Sequence, residues 1–168
     1  MNVEAIFRFL GHLSYRQAVW LAPLAYAVHI LEESQQFAAW ASTHFAAGFT
    51  TPQFVKNNLI VMSGLIALTL LVTLHPRRWT ALLYFFQLSA GLFHNAMLHM
   101  GATAYLGVYS PGLLSAILLY LPVWYHITKL GQRQGLLPNI PALVVFVLAG
   151  LAHAWFVYTQ LLTQNLRL

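Results

Sequence analysis

The sequence predicts an all-α membrane protein, a bundle of five transmembrane helices that forms one domain over residues 1–168. Of its 168 residues, 60% are hydrophobic and only 7% are charged, whereas an average soluble domain has roughly 25% charged residues. Apolar stretches long enough to cross a bilayer, about 20 residues each, recur along the chain. The absence of cysteine excludes disulfides, thiolate metal ligands and iron–sulfur clusters.

Helix-breaking residues separate the apolar stretches. Pro52 precedes the second stretch, a turn at Pro76 precedes the third, Pro111 precedes the fourth and Pro138 opens the fifth. The predicted spans are 18–41, 57–75, 79–103, 111–130 and 140–162. Residues 3–16 alternate apolar and polar groups with a helical period, which predicts a short amphipathic segment at the membrane interface before the first span.

Basic residues predict the orientation of this bundle. The side that holds the N-terminus carries Arg8, Arg16, Arg77, Arg78, Lys129 and Arg133, and the other side carries Lys56 and Arg167. Because basic loops stay in the cytoplasm, we expect a multi-pass protein of the bacterial inner membrane with a cytoplasmic N-terminus and an external C-terminus. The same loops explain the net charge of +5. Nucleic-acid binding is discarded, since these residues form no basic stripe.

Two carboxylates and a histidine lie together in the first predicted span. His29, Glu32 and Glu33 share one helix face, and the two glutamates are among only three acidic residues. An ionisable group inside a span costs roughly 2.5–3.5 kcal/mol, so such groups mark functional sites. Every Lys and Arg lies in a loop or at a span end. A divalent ion could therefore neutralise both carboxylates.

Polar residues of other spans fall in the same layer of the predicted bundle. At about 1.5 Å per residue, His94, Asn95 and His153 lie near the depth of His29, in the outer half of the membrane, with His99 closer to the outer surface. Imidazole and carboxylate groups bind zinc, iron or manganese. The predicted cofactor is one or two zinc or iron ions, and the candidate ligands are His29, Glu32, Glu33, His94, His99 and His153.

Three residues are candidates for catalysis. Glu33 is predicted to act as a ligand, as a bridge between two ions or as a general base. Asn95 could orient a ligand or bind substrate, and Tyr109 lies at the predicted outer rim of the pocket. A structural reading is open for each residue alone: buried carboxylates can be protonated, and histidines can simply join helices. The other histidines, such as His126, are expected to be interfacial or structural.

The motifs resemble those of a known family. His29-x-x-Glu32-Glu33, then Asn95-x-x-x-His99, then Tyr109-x-Pro111-Gly112 match in order the patterns of the HXXEE-motif family, whose members are regarded as integral membrane proteins and candidate enzymes. The resemblance spans most of the chain and strengthens the choice of site residues, but it implies no particular reaction. His94 and His153 do not belong to these motifs.

The expected function is that of a metal-dependent membrane enzyme, a hydrolase or an oxidoreductase, acting on a membrane lipid or another hydrophobic small molecule. Two alternatives remain open. A metal-ion or proton transporter could use the same buried groups, and a b-type haem protein could use His94 and His153 as axial ligands. The sequence predicts neither an oligomeric state nor a partner protein.

Overall fold

A computed structural model describes residues 13–45 and 48–159, and within these ranges the protein contains helices and no strands. The prediction of an all-α fold is confirmed. Most of the predicted amphipathic segment, 3–16, lies outside the described residues. The helices are α1 Tyr15–Ala18, α2 Leu21–Glu33, α3 Phe37–His44, α4 Thr51–Leu74, α5 Arg78–Leu106, α6 Leu113–Arg133 and α7 Asn139–Val157.

Four of these helices, α4 to α7, are long and apolar enough to cross a membrane. They correspond to the last four predicted spans, and they indicate a membrane protein. α4 begins at Thr51, six residues before the predicted start at 57, because Thr50 and Gln53 form a capping box. In this box the Thr50 N–H donates to Gln53 Oε1 at 2.8 Å. Pro52 lies in the first turn, where its missing N–H costs nothing.

The first predicted span, 18–41, is not a continuous helix, so the count of five spans is not confirmed. α2 ends at Glu33 and α3 begins at Phe37, with a turn at 34–36 between them. Five consecutive polar residues, 32–36, favour this break, and Ser34 Oγ donates to the Leu31 carbonyl at 2.9 Å. α2 has only 13 residues, a length of about 20 Å at 1.5 Å per residue, which is short of a 30 Å hydrocarbon core.

Helix α5 is central and packs against α4, α6 and α7, while α2 lies against α4 and α6. The core contains Leu65, Tyr84, Leu92 and Tyr120, which are fully buried. The Tyr84 hydroxyl donates to the Val19 carbonyl at 2.7 Å. Both α5 and α6 include a π-helical stretch, Ser89–His94 and Ala116–Tyr120. Such stretches are frequent at functional sites, and these two lie next to the residues described below.

Candidate metal centre

Three buried side chains from two helices converge in the space between α2 and α5. His29 and Glu33 stand one turn apart on α2, and His99 comes from α5; their exposed fractions are 1%, 5% and 1%. Glu33 Oε1 lies 3.5 Å from His29 Nε2 and 3.3 Å from His99 Nε2. One potential ligand atom from each residue lies within 4.8 Å of the others. Among the described residues, this group could hold a metal ion.

Two serine hydroxyls fix the orientation of both imidazole rings. His29 Nδ1 lies 2.8 Å from Ser115 Oγ, and His99 Nδ1 lies 2.9 Å from Ser110 Oγ. The Ser115 hydroxyl donates its own hydrogen to the Gly112 carbonyl at 3.2 Å, so it accepts the Nδ1–H of His29. In the neutral ring this leaves the lone pair on Nε2. Neither serine was predicted from the sequence, although Ser110 stands inside the third motif.

The two Nε2 atoms face the same Glu33 carboxylate oxygen in a buried space. Neither atom has a hydrogen-bond partner within the described part of the chain. A lone pair pointing at a carboxylate oxygen is unfavourable unless a cation lies between them, either a proton or a metal ion. Histidine ligands of metals typically donate their other N–H to a nearby acceptor, as His29 does here. The donor set fits a divalent metal ion.

Glu32 has a different environment from its neighbour Glu33. Its carboxylate accepts hydrogen bonds from the backbone N–H groups of Ser115 at 2.8 Å, Gly112 at 3.2 Å and Leu114 at 3.2 Å. It also accepts one from the Tyr109 hydroxyl. These N–H groups form the N-terminus of α6, where the helix dipole favours an anion. The structure thus places Glu32 outside the group formed by His29, Glu33 and His99.

Tyr109 lies in the loop before α6, with its hydroxyl on Glu32. Burial, followed by the hydrogen bond to the Glu32 carboxylate, raises the pKa of Tyr109. The hydroxyl therefore keeps its proton and acts as a donor across the neutral pH range. Its observed contact is with Glu32, and its predicted catalytic role stays a prediction.

Gly112 brings the backbone into contact with the three converging side chains. Its φ of +96° is a conformation that favours glycine. A Cβ at this position would lie 2.7 Å from His29 Cε1, 3.0 Å from Glu33 Cγ and 3.0 Å from His99 Cε1. The glycine of the third motif is therefore required by both its backbone conformation and its close approach to the site.

The structure separates His94 and His153 from this group. His94 packs over Gly150 of α7, and its Nε2 lies 3.1 Å from the Phe146 carbonyl oxygen. His153 lies on α7 and shares a cavity with Asn95. His153 Nε2 and Asn95 Oδ1 are buried atoms with no hydrogen-bond partner among the described residues. Their roles as ligand and as catalytic residue stay predictions.

This cavity, which we call the asparagine cavity, has a volume of about 90 Å³ and lies between α2, α4, α5 and α7. Glu33 forms part of its wall, so the cavity adjoins the three converging side chains. The rest of the wall combines aromatic and aliphatic groups with three amides. Its lining residues are Tyr26, Glu33, Phe37, Phe49, Phe54, Asn57, Asn58, Val61, Asn95, Leu98, His153, Phe156 and Val157.

A family model described as "Protein of unknown function with HXXEE motif" matches residues 20–127, more than half of the chain. The protein belongs to this HXXEE-motif family. No curated protein and no solved structure gives a significant match. The match runs from the start of α2 into α6 and includes all three motifs of this HXXEE protein, so His29, Glu33 and His99 lie inside it. His153 and the rest of α7 lie outside it.

Proposed function

We propose that this HXXEE protein is a metal-dependent integral membrane enzyme whose metal ion is held by His29, Glu33 and His99. The observation that carries the proposal is the convergence of two imidazole Nε2 atoms, each without a hydrogen-bond partner among the described residues, on one buried carboxylate oxygen. Two histidines and one carboxylate are the protein ligands of many zinc hydrolases and of non-haem iron oxygenases. The metal is accordingly zinc or iron, and the enzyme a hydrolase or an oxidoreductase.

Three protein ligands leave room for water or substrate, and the bound ion would supply Lewis acidity or redox chemistry there. The residues of the chain supply the surroundings. Ser115 and Ser110 hold the two imidazole rings in place. Glu33 lies in the wall of the asparagine cavity, so a hydrophobic molecule inside it would be next to the ligands. A lipid or another hydrophobic small molecule is the substrate class that fits this largely apolar wall.

Metal analysis tests the proposal directly. Protein purified without chelator is expected to contain about one zinc or iron ion per chain, because the described residues form one such group. Alanine variants of His29, Glu33 and His99 should lose it. His126→Ala is the matched control, since His126 lies far along α6 from Ser115, and it should retain the ion. A wild-type protein that neither contains nor takes up a metal would overturn the proposal.

The same preparation separates the alternatives raised by the sequence. Flux of metal ions or protons into proteoliposomes, without turnover of any lipid, would favour a transporter. A Soret band in the absorption spectrum would favour a haem protein, but His94 already has its Nε2 next to a backbone carbonyl oxygen. The proposed orientation, with the N-terminus in the cytoplasm of a bacterium, is supported by the distribution of basic residues. Labelling of single engineered cysteines from either side tests it, since the chain has none of its own.

A further inference from the structure

The asparagine cavity has two polar atoms that the described part of the protein leaves unsatisfied. Another amide in the same wall, Asn58, donates to the Phe54 carbonyl at 3.0 Å and accepts from the Tyr26 hydroxyl at 2.7 Å. Asn95 Oδ1 and His153 Nε2 have no such partner among the described residues. A buried polar atom without a partner costs about 1–3 kcal/mol. A ligand with hydrogen-bonding groups would recover this cost, and both residues line the cavity together with Glu33.

The charge of the wall selects the kind of head group. Among the described lining residues there is no Lys or Arg, and the side chains that can carry a charge near neutral pH are Glu33 and His153. A phosphate head would therefore find no Lys or Arg, the side chains that usually bind it. A divalent ion held by Glu33 would leave about one positive charge, less than the charge of roughly −1.5 to −2 on a phosphate monoester, and burying an unpaired anion is costly. An uncharged head with hydroxyl or amide groups needs no Lys or Arg partner and buries no anion.

Space for an apolar tail continues from the same wall. A second cavity of about 210 Å³ shares Tyr26, Val61, Asn95, His153 and Phe156 with the asparagine cavity. It extends along α5 to Phe86, Gln87, Ala90 and Gly91. The two cavities therefore run along α5, between α4 and α7. Both of these flanking helices are candidate membrane spans, and few of their residues are buried within the protein, so a tail placed here would lead towards the lipid.

We propose that the asparagine cavity binds the uncharged head of a neutral amphiphile, a monoacylglycerol or a fatty amide, through Asn95 and His153. The head would then lie next to Glu33, with the tail along α5. This assignment rests on the proposed function in one respect, since it makes the amphiphile the substrate of the metal site. The binding step itself requires only the cavity.

Binding of two matched probes tests the proposal. Full-length protein in phosphatidylcholine nanodiscs is titrated with radiolabelled 1-oleoylglycerol and with 1-oleoyl lysophosphatidic acid, which differ only in the phosphate. We expect 1-oleoylglycerol to bind at least about tenfold more tightly. Asn95→Ala and His153→Phe should each weaken its binding about tenfold, because each removes one hydrogen bond and leaves its partner on the ligand unpaired.

Control variants and a measurement of metal content distinguish the possible outcomes of this experiment. Asn139→Ala and His126→Phe make the same changes at positions outside both cavities and should leave binding unchanged. If Asn95→Ala does not fold, Asn95→Leu removes the acceptor and keeps the volume. Failure of both probes to bind, equal binding of the two, or unchanged binding in Asn95→Leu and His153→Phe would overturn the proposal. Metal content is measured on the same samples: selective binding without metal would refute only the proposed function.

Discussion

Replacing Gly112 with alanine is the most direct test of the geometry of the site, because one added carbon would meet all three proposed ligands. The new Cβ would lie 2.7 Å from His29 Cε1 and 3.0 Å from both Glu33 Cγ and His99 Cε1. Contacts this short force the side chains to move, and overpacking of a buried site costs about 1–3 kcal/mol. The φ of +96° adds about 1–2 kcal/mol for a residue with a Cβ.

Gly112→Ala should therefore lower the free energy of unfolding by about 2–5 kcal/mol, the sum of these two effects. Metal affinity should fall at least about tenfold, as when groups that orient metal ligands are disturbed. The assays are reversible unfolding by denaturing detergent in mixed micelles and metal titration of chelator-treated protein. Gly135→Ala is the matched control: its φ is +69° and its Cβ would meet nothing within 4 Å. It carries the backbone strain without the contacts and should keep its metal affinity.

The comparison of these two variants can refute the reasoning. If Gly112→Ala binds metal as tightly as the wild type and unfolds like Gly135→Ala, the backbone at Gly112 does not lie against the ligands. The assignment of His29, Glu33 and His99 as one group would then be wrong in its geometry. If both variants lose metal equally, backbone strain alone accounts for the effect, and the contacts of the new Cβ with the ligands do not contribute to it.

Three further predictions concern residues that surround the ligands. Ser115→Ala removes the acceptor of the His29 Nδ1–H and should weaken metal binding about 10–100-fold without abolishing it. Competition with a chelator measures this, and full retention of affinity would argue against a role for the hydroxyl. Glu32→Ala leaves three backbone N–H groups at the α6 N-terminus without their acceptor. It should lower the free energy of unfolding by about 1–3 kcal/mol and retain one metal ion per chain. Loss of the ion with unchanged stability would instead make Glu32 a ligand. Tyr109 has a raised pKa, so its contribution to stability is full below the pKa of about 10 that it has in the unfolded chain and is lost as pH rises through its pKa in the folded protein. The difference in unfolding free energy between wild type and Tyr109→Phe should therefore shrink above pH 10. A difference that is independent of pH would contradict this.

The helices that sequence reasoning found best are those whose apolar stretches end at clear breakers. α4 to α7 match their predicted spans because Pro52, Pro76, Pro111 and Pro138 stand at or near their starts. The break after Glu33 was not predicted, because the apolar residues on both sides of 32–36 make the segment look like one span. The decisive partner of Glu32 is the N-terminus of α6, 80 or more positions away in sequence. No local pattern reports such a contact.

In the candidate metal centre, likewise, the spacing of residues on one helix was predictable from the sequence, but contacts between helices were not. Spacing on one helix predicted that His29 and Glu33 share a face, and the structure brings both to His99. Predicted depth also put His94 in the site, but depth says nothing about direction around the helix. His94 precedes Asn95 by one residue, which is about 100° around an α-helix, and its ring packs against α7 rather than α2. Ser115 was missed because a lone serine at the start of a helix has many ordinary roles.

The two adjacent glutamates have different partners in the structure, and their two environments depend on each other. Glu33 points to the imidazoles, whereas Glu32 binds the start of α6. That start carries Gly112, which lies against the ligands, and Ser115, which holds His29. By fixing α6, Glu32 therefore positions the groups that shape the site around Glu33. The first and third motifs meet through this contact, so Glu32, the first glutamate of the motif, can act on the metal site without binding the metal.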